Sequence, residues 1–323
     1  MPVDAPTTAP DQLSLGCALA RAGQITGALR TLTAQPENEA PADAVVRLAT
    51  LLDCRLARGE LAYADALGDR ILGLAGLEGP AAALAAHALG ELASAQGQAE
   101  KAAANHARAG ALIGDLDDPL TVPWRSGAAL ALTRLGARQE GNLLAHEHLA
   151  LARGTGAQYA IAQALRTAAA TNADGGAVPL LREARTTLRD VPAERLAAQI
   201  DVDLALLLSL QCEPEADRAA VVMLRAAERY ACREDLFPLQ NRVRSILERL
   251  GEEPRRIRSE TLATLTPTEQ VAARLAAEGL TNRRIAGELD VTIKAVEWHL
   301  SNVYRKLGIP GRTRLADVLG VPA

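Results

Sequence analysis

A glycine returns at nearly even intervals through the first part of this chain, at Gly23, Gly59, Gly97, Gly136 and Gly175, separated by 36, 38, 39 and 39 residues. A sixth turn signal, Pro214 in QCEPEA, falls 39 residues further on. Each interval holds two amphipathic stretches, as in LSLGCALARAGQITGALRTLTA and LGELASAQGQAEKAAANHARAGALI. Five positions after the first four glycines stands a small residue, Ala28, Ala64, Ala102 and then Gly141, which lets the two helices of a hairpin approach closely. Leu-Gly recurs just before the turn, at Leu15-Gly16 and Leu89-Gly90. One such hairpin cannot bury its own apolar stripe. A repeat of this length therefore has to stack, and the pattern predicts an α-solenoid. The abundance of Ala and Leu and an aromatic content of 2% point the same way, to an all-α protein.

The hairpin pattern resembles the tetratricopeptide repeat, without most of its aromatic marks, so these read as about six degenerate TPR-like hairpins. FPLQNRVRSILERL (237–250) is expected to form a closing helix over the last of them, completing a sensor or interaction domain over 1–250. GEEPRRIRSETLAT (251–264) has Gly, Pro and charges without an apolar period and reads as a linker. No basic-then-apolar leader opens the sequence, and no uncharged apolar run reaches the length of a membrane span, so a cytoplasmic protein away from membranes is expected. Cys17, Cys54, Cys212 and Cys232 show no paired spacing and read as reduced thiols.

Charge is uneven. From Arg255 onward there are 11 basic and 7 acidic residues, while the whole chain has a net charge of −4, so a basic C-terminal piece follows an acidic body. This places any nucleic-acid contact at the C-terminus. There, LTPTEQVAARLAAEGL supplies Thr266 as N-cap, Pro267 at N1 and Glu269 at N3, a capping box, with Gly279 as the helix stop and Leu280 folding back onto Leu275. TNRRIAGEL starts a second helix from Thr281, burying Ile285, Ala286 and Leu289. The turn Asp290-Val291-Thr292 leads into VTIKAVEWHLSNVYRKLG. Two short helices joined in this way form a helix-turn-helix whose second helix reads DNA. At 100° per residue, Val296, Leu300, Val303 and Leu307 form its buried stripe, and Lys294, Glu297, Trp298, Ser301 and Arg305 share the opposite side. Lys294 and Arg305 suit phosphates, Glu297 a cytosine amino group, and Trp298 a thymine methyl or sugar edge.

Residues 265–319 closely resemble the LuxR-type DNA-binding domain. The marks are Leu265-Thr266, Glu269, Gly279, Asn282, Ile285-Ala286, Leu289, Val296, His299, Asn302, Lys306-Leu307 and Arg312. The resemblance implies a four-helix domain over 265–323 that binds double-stranded DNA as a homodimer, with the terminal helix RTRLADVL serving either to pair two readers or as a plain packing face. It adds Asn282, Thr292, Lys306 and Arg312 to the candidate DNA-binding set. VEWHL and YRKLG resemble the C-terminal portions of large ATP-binding, MalT-like regulators, which place helical repeats before the reader. Two departures stand out. Ala295-Val296-Glu297 lacks the lysine often found in that segment, and no G-x-x-x-x-G-K-[ST] phosphate loop occurs in the chain.

Trp124 and Tyr159 lie on the first helices of neighbouring hairpins at offsets differing by four, so they could face the same way; they are the candidate effector residues, with ordinary core filling as the plainer reading. His146 and His148 in HEH point to different sides of a helix, and no metal or cofactor is expected. Without a phosphate loop, nucleophile motif or metal cluster, the sequence points away from an enzyme. It points to a sequence-specific transcriptional regulator whose repeats receive a small molecule or protein signal. Two other readings stay open: an interaction adaptor with a vestigial or dimerising helix-turn-helix, and the sensor-reader half of a larger ATP-dependent regulator.

Overall fold

The computed structural model describes residues 12–34, 39–172, 175–211, 213–253, 265–277, 279–289 and 291–315. Among them are sixteen α-helices and no strand. Contacts divide the chain into two compact units, Met1–Glu252 and Glu253–Ala323.

The first unit contains α1 (Gln12–Ala22), α2 (Ile25–Thr33), α3 (Pro41–Arg58), α4 (Leu61–Leu72), α5 (Gly79–Ala95), α6 (Ala99–Ile113) and α7 (Trp124–Arg134). It continues through α8 (Arg138–Thr155), α9 (Gln158–Thr171), α10 (Ala177–Thr187), α11 (Glu194–Ser209), α12 (Pro214–Arg233) and α13 (Phe237–Arg249). Each odd-numbered helix from α1 to α11 packs against the next even one as a hairpin. All five repeating glycines sit at the turns with φ between 76° and 90°, a left-handed conformation in which a Cβ would be strained. Ala28, Ala64 and Ala102 are completely buried, and a Cβ on Gly141 would stand 2.7 Å from the Ala129 carbonyl oxygen. Small residues at this register therefore set how closely the paired helices approach. Gly16 does the same for α1 and α2, since a Cβ there would meet Leu32 at 2.3 Å. The main core is correspondingly rich in alanine and leucine, with Leu52, Leu165, Ile200 and Leu224 among its fully buried members.

The closing helix does more than cover the last hairpin: α13 packs on α3 as well as on α11 and α12, and α11 reaches α1. The chain thus returns on itself, and polar side chains fasten the join. Glu234, between α12 and α13, accepts from the Thr26 backbone N–H at 2.9 Å, in the first turn of α2, where the helix dipole favours an anion. Arg58 donates to the Glu234 carbonyl at 3.1 Å and to the Thr26 hydroxyl at 2.7 Å. The Tyr230 hydroxyl donates to the Gly23 carbonyl at 2.7 Å, and Arg195 pairs with Asp53 at 2.7 Å. All seven of these residues come from the first two hairpins or the last one and its flanks, and the bonds between the two groups join positions at least 142 apart along the chain. A period alone carries no information about such pairings.

The second unit contains α14 (Pro267–Ala277), α15 (Asn282–Leu289), α16 (Ile293–Leu307) and a 3-10 turn over Arg312–Arg314. Leu265, Ala272, Ala273, Ala276, Ile285, Ala286, Val296, Leu300, Val303 and Leu315 form its own core. Most of the expected linker (254–264) and the rest of the expected terminal helix (316–319) lie outside the described residues, as do residues 320–323. Cys17 and Cys54 are free thiols, and burial beside Asp53 pushes the Cys54 thiol up to about 12; Cys212 lies outside the described residues. No helix among the described residues is long and apolar enough to cross a membrane.

Candidate nucleic-acid interface

Local side-chain bonds start each helix of the second unit. The Thr266 hydroxyl accepts from the Glu269 N–H at 3.3 Å while the Glu269 carboxylate accepts from the Thr266 N–H at 2.7 Å, a reciprocal capping box. Gly279, at φ 88°, ends α14, and the Leu280 N–H donates to the Leu275 carbonyl at 3.1 Å, as in a Schellman stop. Thr281 caps α15 by accepting from the Arg284 N–H at 3.4 Å, and Thr292 caps α16 by accepting from the Ala295 N–H at 3.2 Å. Threonine at these three starts satisfies N–H groups that a short helix cannot satisfy itself.

This scaffold turns α16 so that its two faces separate. Val296, Leu300 and Val303 are buried, Leu307 is partly so, and Lys294, Glu297, Trp298, Ser301 and Arg305 are exposed. Trp298 stands 63% exposed, with its ring edge-on to His299 at 5.1 Å between centroids. Arg305 donates to the Asn302 side-chain oxygen at 2.9 Å, which steadies its guanidinium along the exposed row.

Four other sequence candidates are engaged inside the unit. Lys306 donates to Glu269 at 2.6 Å, tying the end of α16 to the start of α14. Burial works against the Glu269 carboxylate, but its bonds to Lys306 and Thr266 outweigh that and hold its pKa below the ordinary value. Arg312 donates to the Asn282 side-chain oxygen at 3.1 Å and to the carbonyls of Ala276 and Leu280, so it braces the junction of α14 and α15. Thr292 uses its hydroxyl as a cap. Two charged side chains and two polar ones thus fix the position of the α16 face.

Residues 263–319 match the family described as "Bacterial regulatory proteins, luxR family". They form a LuxR-family helix-turn-helix domain. The Mycobacterium tuberculosis (H37Rv) protein Rv0890c, named as a candidate HTH-type transcriptional regulator, is 50% identical over 54 residues, covering 17% of this chain and 6% of that protein. The "Two-component response regulator PprB" of Pseudomonas aeruginosa is 42% identical over 59 residues, covering 18% of this chain and 22% of that protein. The match therefore spans a small part of this chain and of these relatives.

Outside the LuxR-family domain, the first helices of the hairpins surround a cavity of about 600 Å³ in the repeat unit. Its wall mixes apolar side chains with Arg21, Asp53, Glu91, Arg166, Arg195 and Arg242. Arg166 and Arg242 both pair with Asp203, at 2.6 and 2.5 Å, so two guanidinium groups share one carboxylate at this wall. Tyr159 lines the cavity, and burial is the main cause raising its phenol pKa. Trp124 does not: its indole N–H lies 3.3 Å from Asp117, and its ring fills the space beside Gly110, packed with Ile113 and Val122. For Trp124 this is the core-filling alternative. On α7 the cavity face is made by Ser126, Gly127 and Leu130, and Trp124 falls outside it.

The fold also assembles a group that the sequence reading passed over. His87 and Glu91, one turn apart on α5, meet His106 of α6. The only hint in the sequence is the i, i+4 spacing of His87 and Glu91; nothing in it places His106 opposite. His106 is fully buried, and both Gly90 and Gly127 make room for its ring, since a Cβ at either would stand within 2.6 Å of it. Burial lowers both histidine pKa values to about 4. His146 is exposed and His148 buried, as expected for two rings on different sides of a helix.

Proposed function

We propose that this protein is a sequence-specific DNA-binding transcriptional regulator, with the exposed face of α16 as its reading surface and the cavity of the repeat unit as the receptor for a signal. The observation that carries the first half is the row Lys294, Glu297, Trp298, Ser301 and Arg305, exposed along one side of a helix whose other side is core. A helix entering the major groove needs such a division. In this reading Lys294 and Arg305 contact phosphates, Glu297 and Trp298 face base edges, and Thr292, Asn282, Lys306 and Arg312 act by fixing the helix. The protein binds as a homodimer, placing two recognition helices in successive major grooves. It works in the cytoplasm and needs no catalysis of its own.

The second half rests on the cavity. Its volume suits a small molecule rather than a folded partner. The arginine-rich wall favours a polar or anionic effector, with Tyr159 as an aromatic contact. Occupancy of the cavity governs whether two readers are presented together. The MalT-like layout of repeats before a reader agrees with this division of labour.

The test is selection of bound fragments from a random-sequence DNA pool at about 150 mM salt, a concentration that suppresses purely electrostatic binding. The full chain and residues 253–323 are run separately. Enrichment of one motif by both, or by the shorter chain alone with the repeats inhibiting it, agrees with the proposal. Absence of enrichment in both overturns it in favour of an interaction adaptor.

A further inference from the structure

The group formed by His87, Glu91 and His106 has the composition of a metal centre. Each residue offers a ligand atom, and the three atoms lie within 4.8 Å of one another. The two facing ring nitrogens, His87 Nδ1 and His106 Nδ1, are 3.2 Å apart. That contact is a hydrogen bond, one ring donating and the other accepting, and it leaves His106 Nε2 for another partner.

A second observation points to a missing partner. His106 is fully buried, and its Nε2 makes no hydrogen bond. That nitrogen lies 3.4 Å from the Glu91 Oε1, without hydrogen-bond geometry but close to the roughly 3.3 Å between two ligand atoms on a tetrahedral zinc ion. A buried ring nitrogen left unsatisfied costs stability. Here its position is nevertheless held by two glycines that clear space for the ring, Gly90 on its own hairpin and Gly127 on α7. Glu91 is the adaptable member: its side chain is 45% exposed toward the cavity and can close the remaining distance by a change of rotamer.

We propose that His87, Glu91 and His106 bind a divalent first-row transition-metal ion, with an open coordination position facing the cavity. Imidazole and carboxylate donors suit zinc and its neighbours rather than calcium or magnesium, which prefer all-oxygen sets. His87 and Glu91 line the cavity wall and His106 lies behind them, so the ion approaches from the cavity side. Three protein ligands leave room for a water or for an oxygen of a bound molecule. The site belongs to the repeat unit alone, so it stands or falls independently of DNA binding.

The experiment uses the full chain without an affinity tag, stripped with a chelator and titrated with zinc by calorimetry, with cobalt absorption as a second probe. One equivalent of zinc per chain is expected, with cobalt giving the visible bands of a low-coordinate nitrogen–oxygen site. His87→Ala and Glu91→Gln, chosen because both side chains are only partly buried, should each weaken zinc binding by at least about tenfold, the scale of loss seen even for residues outside the ligand shell. His146→Ala, on an exposed ring, should leave it unchanged. Absence of stoichiometric binding in the parent chain, or equal affinity in both ligand variants, overturns the proposal and leaves the hydrogen-bonded pair His87–His106 with Glu91 beside it.

Discussion

The two units solve the same problem, how to begin a helix, in opposite ways. In the LuxR-family domain Thr266, Thr281 and Thr292 each cap the helix that follows them, across three residues of sequence. In the repeat unit none of the helices α2 to α13 receives a hydrogen bond from its own N-cap side chain. Its polar groups reach across the chain instead: Glu234 serves the start of α2 from 208 positions away, and Arg195 finds Asp53 from 142. The domain is encoded locally and the repeat unit collectively. A locally encoded domain can be read from one stretch of sequence, and damage elsewhere should not spread to it.

The sharpest attempt to break this contrast is a cavity in the repeat core. Leu165→Ala, at a fully buried position, should cost the repeat unit about 2–5 kcal/mol, with the melting transition of the LuxR-family domain unmoved. A single transition that shifts as a whole in calorimetry would show that the two units are energetically one.

Acid should also separate the units. Burial, and then the charge of Arg125, lower the His148 pKa to about 4, with Asp117 opposing. As pH falls below about 6.5 the unfolded chain takes up a proton that the folded one refuses, so stability falls between there and about 4. His148→Leu should remove on the order of 2–3 kcal/mol of that loss, measured as a smaller drop in Tm between pH 7 and 4.5. An equal drop in parent and variant would place the acid sensitivity elsewhere.

Within the domain, Glu297→Ala should relax preference at one base pair by about 1–3 kcal/mol without changing the melting temperature. An unchanged preferred sequence would mean that α16 docks differently. Glu269→Gln weakens the reciprocal cap and the bond to Lys306 together, and should cost about 1 kcal/mol in stability of the isolated domain. The smallest effect is expected for Arg305→Ala, which should weaken binding to all sequences and reduce the salt slope by about one unit. A change in sequence preference instead would move Arg305 from phosphate to base.

The same contrast explains what could be read in advance. The five glycine turns, the small residues packed after them, the capping box and both faces of α16 follow from spacings of 3 to 39 residues, which a sequence displays directly. The place of Trp124 outside the cavity face, the engagement of Lys306 and Arg312 within their domain, and the meeting of His87 and Glu91 with His106 depend on how whole helices rotate against one another. An i, i+4 pair announces a shared face but not what will stand opposite. The return of α13 to α3 depends on small rotations summed over six hairpins, and no single hairpin contains that sum.

That return limits how the repeat number can vary. An open array can gain or lose a hairpin, because each repeat meets only its neighbours, and it can unravel from a terminus one unit at a time. Here the bonds of Glu234 to Thr26, Arg58 to the Glu234 carbonyl and Tyr230 to Gly23 would all be lost if one hairpin were inserted or removed. Among the described residues, the first and last hairpins are tied to each other, so neither offers a loose end from which fraying can start. Melting should therefore be all-or-none across the thirteen helices, and the number of hairpins is as fixed as the number of staves in a barrel.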